Sequence, residues 1–238
     1  MPASVLLLLP ALNEEKALQA LSKEIPKKYS VVVVDSQSTD GTVEVARSLG
    51  YAAIPVSYGR GKGSGVRTGM DYFLKGRWDY LALIDCDYSD DPADVEGAIK
   101  FLKDSGLDVV MGIRDMRKQH RFLGVATAVV KSVMPPLSRL AIGRRISDPV
   151  TGFYVFRRSA VEAVLPSLRC VDFEFDFEVI YHMWRLGIRF GEYPVNFRRR
   201  IGVTKFTHLL RLKHFYYAGK YTAFSLRDRI TGTAKIKA

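Results

Sequence analysis

Cysteine is almost absent: the 238-residue chain has two, Cys86 and Cys170, too few for a disulfide framework. A reducing compartment is the simpler setting, and an apolar core must hold the fold. Long apolar runs are missing too. The nearest, "FLGVATAVVKSVMPPLSRLAIG" (122–143), is interrupted by Lys131, Pro135, Pro136 and Arg139. It falls short of the ~18 uncharged residues of a membrane span. The opening "MPASVLLLLPALNEE" lacks the basic leader of a secretory signal. Neither an internal repeat nor a low-complexity linker appears, so one domain with a loop-rich second half is the economical reading. Acid is under-represented against base, leaving a formal charge of +11. That excess predicts an anionic partner: phosphate, nucleic acid or lipid headgroup. A hydrophobic fraction of 47% is ordinary for a globular chain.

What is present alternates. "SVLLLL" (4–9) and "SVVVVD" (30–35) are continuously apolar and β-rich, as in parallel strands covered on both faces. Between them, 13–25 has helical spacing with acids in its first turn. Asp40 reads as the N-cap of a helix closed by Gly50. "YAAIPV" predicts a third strand, "GVRTGMDYFLKG" a helix and "YLALID" a fourth strand. Asp91 and Pro92 open another helix, followed by "DVVMGI". This is an α/β fold with a mainly parallel central sheet. After Arg114 the pattern loosens into a basic, apolar segment (114–145), a turn and strand at "SDPVTGFYVFRR", a helix at "FEFDFEVIYHMWRLG" and a strand at "EYPVNFRRR".

In open α/β sheets ligands bind beyond the carboxyl ends of the strands. Polar motifs fall there three times: Asn13 and Glu14, Asp35 to Asp40, and Asp85 with Asp87. The last two acids lie two residues apart on one face of an extended chain. Their repulsion has to be offset by a cation or a proton. A hard divalent ion completed by substrate phosphates fits; a solvated turn is the alternative. Asp90 and Asp91 read better as caps of the following helix. "YGRGKGSGVRTG" (58–69) joins glycines to Arg60, Lys62 and Arg67, which suits phosphate, but it matches neither a Walker A loop nor GxGxxG after a strand. A plain flexible turn explains it equally well.

"LLLLPALNEE", "VVVVDSQSTDGT", "GRGKGSGVRTGMDYF", "ALIDCDYSDDP", "VMGIRD", "ISDPVTGFYVFRR" and the 173–206 segment, in this order, resemble family 2 glycosyltransferases. The resemblance covers residues 4–206, and within that family it is to the dolichyl-phosphate mannosyltransferase and polyprenyl-phosphate glycosyltransferase branch. It implies a glycosyltransferase-A (Rossmann-like) fold, a nucleotide-sugar donor, and Mg²⁺ or Mn²⁺. By that likeness Pro10, Leu12 and Glu14 contact the donor nucleotide. Asp35 and Ser36 match the pair that reads base and ribose, with Ser replacing the second acid. Asp85, Cys86 and Asp87 match DxD, Asp87 being the principal metal ligand, and Ser89 stands where Gln is often a further ligand. Lys62 joins the donor set. Arg114 matches an Arg facing the phosphates. Arg200 and Lys205 match a segment closing over the diphosphate, here one residue shorter.

On this likeness, 1–206 is the catalytic domain, with 114–145 facing acceptor or membrane. Residues 207–238 form a basic, aromatic tail suited to an interfacial helix. The implied acceptor is a polyprenyl or dolichyl phosphate, whose oxygen is already anionic and needs no base. Arg114, Arg117, Arg121 and Lys131 are its candidate cations, and a membrane surface suits their apolar neighbours. A hydroxyl acceptor would need a base, for which Asp176 and Glu178 are candidates; a polar stripe on a buried helix is the other reading. Relatives carry transmembrane helices after the catalytic domain. The expectation here is a cytoplasmic, peripheral protein at the inner face of a membrane, with or without an anchoring subunit. Two rivals are weaker. A nucleotidyltransferase carries a glycine-rich basic loop where this chain has "PALNEE". A nucleic-acid module is opposed by the acidic strand end, so no nucleic-acid partner is expected. A water-soluble acceptor, a sugar hydroxyl or a phosphorylated metabolite, is the main alternative.

Overall fold

A computed structural model describes residues 4–114, 125–205 and 208–234, with backbone only at 125–131, 208–212 and 214. Strand β1 (Val5–Ala11) leads to helix α1 (Glu15–Leu21), β2 (Ser30–Asp35), α2 (Thr42–Ser48) and β3 (Ala52–Pro55). Next come α3 (Lys62–Lys75), β4 (Tyr80–Leu83), α4 (Asp94–Asp104) and β5 (Val109–Arg114). The second half holds α5 (Val125–Ile142), β6 (Tyr154–Arg157), α6 (Arg158–Val164), α7 (Phe175–Arg185), β7 (Phe190–Val195) and α8 (His208–Ile230). The seven strands form one sheet in the order β3-β2-β1-β4-β6-β5-β7. It is parallel except for β6, which runs antiparallel to both β4 and β5.

The unbroken apolar runs follow from burial on both faces. Leu6 and Leu8 of β1 face one core with Val66, Met70 and Phe73 of α3. Alternating with them, Val5, Leu7 and Leu9 face the other core with Leu18, Leu21, Val95 and Leu102. Each fully buried Leu contributes about 2 kcal/mol by removal of apolar area from water. Helices α3, α5, α6, α7 and α8 supply the first core, α1, α2 and α4 the second.

Several elements differ from expectation. The α3 helix starts at Lys62, in the glycine-rich stretch read as a loop. The N–H groups of Gly63 and Ser64 donate to the carbonyls of Asp172 and Val171 at 3.0 and 2.8 Å. A Cβ at Gly61 would lie 2.4 Å from the Val171 carbonyl oxygen, so glycine permits the close approach. This stretch is a packed helix start rather than a flexible turn. The cap of α2 is Gly41 rather than Asp40, whose carboxylate nevertheless accepts the Thr42 N–H at 3.1 Å. The interrupted run at 122–143 contributes an 18-residue helix that contains both prolines. Ser138 Oγ donates to the Pro135 carbonyl and accepts the Ile146 N–H, tying the helix end to the next loop. Among the described residues no helix is long and apolar enough to cross a membrane. The tail is helix α8, which packs on α5 and α7 and buries Ala218, Tyr221, Ser225 and Asp228.

Candidate active site

The carboxyl ends of β1, β2 and β4 meet at one edge of the sheet, and each is followed by a non-glycine residue in the left-handed region. These are Asn13 (φ 52°), Gln37 (φ 67°) and Tyr88 (φ 74°), the three such residues among those described. Strained backbone of this kind persists where the surroundings over-determine it, and it clusters at functional sites.

Asp85 leaves β4 into a pocket of charge. Its Oδ1 pairs with Lys62 Nζ at 2.7 Å, and its backbone N–H donates to Asp90 Oδ2 at 3.0 Å. Gly152 (φ 75°) closes the other side: a Cβ there would lie 2.7 Å from Asp85 Oδ2. Asp87 Oδ2 lies 3.3 Å from Arg200 Nη1, while its Oδ1 accepts both the N–H and the hydroxyl of Ser89. Cys86 turns away into the core, 2% exposed, so its backbone alone faces the site.

Asp91 accepts the Ala93 N–H at 2.9 Å, as a residue opening a helix does. Asp90 does not cap. It is 1% exposed, and its Oδ1 is buried without a hydrogen-bond partner. Burial, with Asp85 beside it, pushes the carboxyl up to about 8. Sequence reasoning misses this inward turn because a helix-capping acid and an inward acid have the same local signature.

The rest of the set arrives from distant segments. Arg114 makes a two-pronged pair with Asp148 at 2.7 and 2.8 Å and also donates to the Val150 carbonyl. Its guanidinium is thus engaged by protein and 8% exposed. Burial pulls this group's pKa down, but Asp148 outweighs it and leaves it raised. Asp176 is 3% exposed and accepts the Tyr154 hydroxyl at 2.8 Å. Burial raises its carboxyl, only partly offset by Lys62 and Tyr154. Glu178 accepts the N–H groups of Arg169 and Cys170 at 3.0 and 2.7 Å and the Tyr221 hydroxyl at 3.1 Å, a packing role inside the helix layer.

Glu14, 7% exposed, pairs with Lys205 and with Arg200 Nη2 at 3.4 Å, and its Oε2 is buried without a partner. Burial raises this carboxyl as well. Asp35 accepts the N–H groups of Gln37 and Ser38 at 3.1 Å, and Ser36 beside it is buried. Pro10 and Leu12 are half-buried at the end of β1. Arg117 and Arg121 lie outside the described residues, as does the side chain of Lys131.

The edge therefore gathers six carboxylates (Glu14, Asp85, Asp87, Asp90, Asp148, Asp176) around four cations (Lys62, Arg114, Arg200, Lys205). The two negative charges left over equal what one divalent cation neutralises, and burial raises the carboxyls of Glu14, Asp85, Asp90 and Asp176. Among the described residues no three His, Cys, Asp or Glu side chains converge to enclose a metal. A hard ion here would draw part of its shell from a ligand's phosphates, the usual arrangement for Mg²⁺.

Comparison with known proteins gives the family and the fold. The model of glycosyl transferase family 2 matches residues 7–165. An uncharacterised protein of Methanocaldococcus jannaschii is 26% identical over 194 residues, 80% of each chain. The dolichyl-phosphate beta-glucosyltransferase of Dictyostelium discoideum is 24% identical over 217 residues, 79% of this chain and 64% of that protein. Among solved structures, glucosyl-3-phosphoglycerate synthase of Mycobacterium tuberculosis, in complex with Mn²⁺, UDP-glucose and phosphoglyceric acid, superposes with a TM-score of 0.67. It is 18% identical, covering 100% of this chain and 81% of that one, and shares the fold.

Proposed function

Because the chain belongs to glycosyl transferase family 2, an enzyme family moving sugars from nucleotide-sugars, we propose that it transfers a hexose to a polyprenyl or dolichyl phosphate with inversion. The supporting observation is an apolar cavity among the helices. It is lined by Met134, Ile142, Pro149, Phe177, Ile180 and Tyr221, among others, and lies between α5, α7 and α8. Pro149 and Phe177 are the chain neighbours of Asp148 and Asp176, so an apolar tail seated there would present its phosphate to the charged edge. Val133, Leu140, Phe215 and Tyr216 on the flanking helices are exposed, a surface suited to peripheral membrane contact at the cytoplasmic side. The dolichyl phosphate named for the Dictyostelium relative points the same way.

Asp87, with Asp85 and Ser89, would hold Mg²⁺ or Mn²⁺; the mycobacterial synthase of the same fold is in complex with Mn²⁺. When bound there, such an ion would supply positive charge against that developing on the departing nucleoside diphosphate. Arg200 and Lys205 reach the same point from the far end of the chain. Exchanging Glu14 and Asp87 for diphosphate oxygens, they would stabilise the leaving group from preorganised positions. Lys62 offsets the charge of Asp85 at the donor side. Arg114 acts through Asp148, fixing the 148–152 loop and so Gly152 against Asp85.

A second reading has its own observation. Asp176 is buried, anchored by Tyr154 and raised in pKa by burial, the direction that favours a general base, so a soluble phosphorylated acceptor would use it as base. Purified protein with Mn²⁺, lipid extract and radiolabelled sugar nucleotides decides between them. Label in the organic phase, lost with EDTA and in Asp87→Ala, supports the lipid acceptor. Label confined to water-soluble product, lost in Asp176→Asn, replaces that reading with the second.

A further inference from the structure

Tyr88 is a large side chain in the left-handed region, φ 74°, one residue beyond the carboxylate on which metal binding depends. A bulky residue holds such a turn only when something outside it fixes the geometry. Three contacts do so here. The Arg198 guanidinium lies over the Tyr88 ring, 4.0 Å from its centroid. The Tyr88 hydroxyl donates to Glu24 Oε1 at 2.5 Å, and Arg198 Nη1 pairs with the other oxygen of the same carboxylate. The backbone is tied as well: Arg198 N–H donates to the Ser89 carbonyl and Nη2 to the Asp90 carbonyl, both at 2.8 Å.

We propose that Arg198 is a positioning residue that clamps the Asp85–Asp90 turn, so that Asp87 and Ser89 face the metal and diphosphate. The proposal rests on the donor reading given above. Arg198 is suited to it chemically. Its planar fork covers the ring with one face while its edges reach a carboxylate and a carbonyl, which an ammonium cannot do together. The clamp joins three segments distant in sequence: the stretch after α1, the turn after β4 and the stretch after β7. Ile201 N–H donates to the Asp87 carbonyl at 2.9 Å, so the segment carrying Arg198 also delivers Arg200 to Asp87. The clamp and the cation therefore share one piece of backbone.

The test is a double-mutant cycle read as Mn²⁺ affinity in the presence of UDP or GDP, followed by the electron paramagnetic resonance of free Mn²⁺. Glycine enters the left-handed region without cost, so Tyr88→Gly removes the ring and the need for a clamp together. Arg198→Met in the Tyr88 background should weaken Mn²⁺ binding about tenfold; in the Tyr88→Gly background the same change should cost less than about threefold. Thermal unfolding establishes that each variant folds. If Arg198→Met does not, Arg198→Lys takes its place, with a smaller but equally background-dependent loss. Equal losses in both backgrounds would show that Arg198 contributes charge or general stability and overturn the clamp. Wild-type protein that binds Mn²⁺ with neither nucleotide would remove the donor reading instead, and the clamp's purpose with it.

Discussion

The two flanks of the sheet hold their acids in different ways. On the side proposed for the donor, at the ends of β1, β2 and β4, carboxylates and cations are paired across long stretches of chain. They stand on strained turns, and two carboxylate oxygens are left without partners. On the helix side, among α5, α7 and α8, the buried carboxylates are fully served: Glu178 takes three donors, and Asp228 takes Tyr181, Arg185 and Arg227. Full satisfaction rigidifies, whereas unmet pairing capacity in a low-dielectric setting is stored affinity for a ligand of complementary charge. One flank is built to stay as it is and the other to exchange partners.

The sharpest way to break the contrast is Asp87→Ala. Donor turnover should fall about a thousandfold with little change in unfolding midpoint, measured by initial rates and denaturant titration. The Arg114–Asp148 pair is the donor-side element that behaves like the helix side. Asp148→Ala leaves a buried guanidinium uncompensated and should cost about 3–5 kcal/mol in equilibrium unfolding. Gly152→Ala sets a methyl group 2.7 Å from Asp85 Oδ2 at a φ of 75°. It should raise the donor KM about tenfold while the protein stays folded, because the carboxylate must shift.

Proton linkage sharpens the comparison further. Asp90 is raised to about 8 in the folded state from an ordinary 3.8, so the folded protein binds this proton more tightly than the unfolded chain. Stability from this group is present at low pH and lost as pH climbs from about 4 to about 8, at a slope on the order of 1 kcal/mol per pH unit. Asp90→Asn should flatten that slope in denaturant titrations between about pH 5 and about pH 8.5. The smallest effect belongs to the satisfied flank: Tyr221→Phe removes one of three donors to Glu178, costs about 1 kcal/mol, and leaves Mn²⁺ affinity unchanged.

The same division explains what can be read in the sequence. The first half is a chain of strand–helix units whose apolar runs, such as 5–9 and 31–34, are dictated by burial on both faces, and their order places Glu14, Asp35 and Asp85 at one edge. Periodicity carries no information about partners, however. Nothing local says that Arg114 will be engaged by Asp148 or that Lys205 will cross to Glu14. The glycines of 58–69 look like a loop when helix propensity is judged without the carbonyls of Val171 and Asp172, which complete the first turn of α3. Asp90 looks like a cap for the same reason. The antiparallel β6 gives no cue of direction, since a short apolar strand reads alike both ways.

Lys205 and Glu14 are 191 positions apart, and they are nevertheless partners. A contact of that span closes a long loop, and its closure entropy is lost before any contact energy is gained. Until β7 has docked and the stretch beyond it has crossed the edge, Glu14 and Asp87 stand without Arg200 and Lys205. Protons or free divalent ions in the surroundings would then set how fast the last step proceeds. The ion that serves the finished enzyme would also speed its maturation.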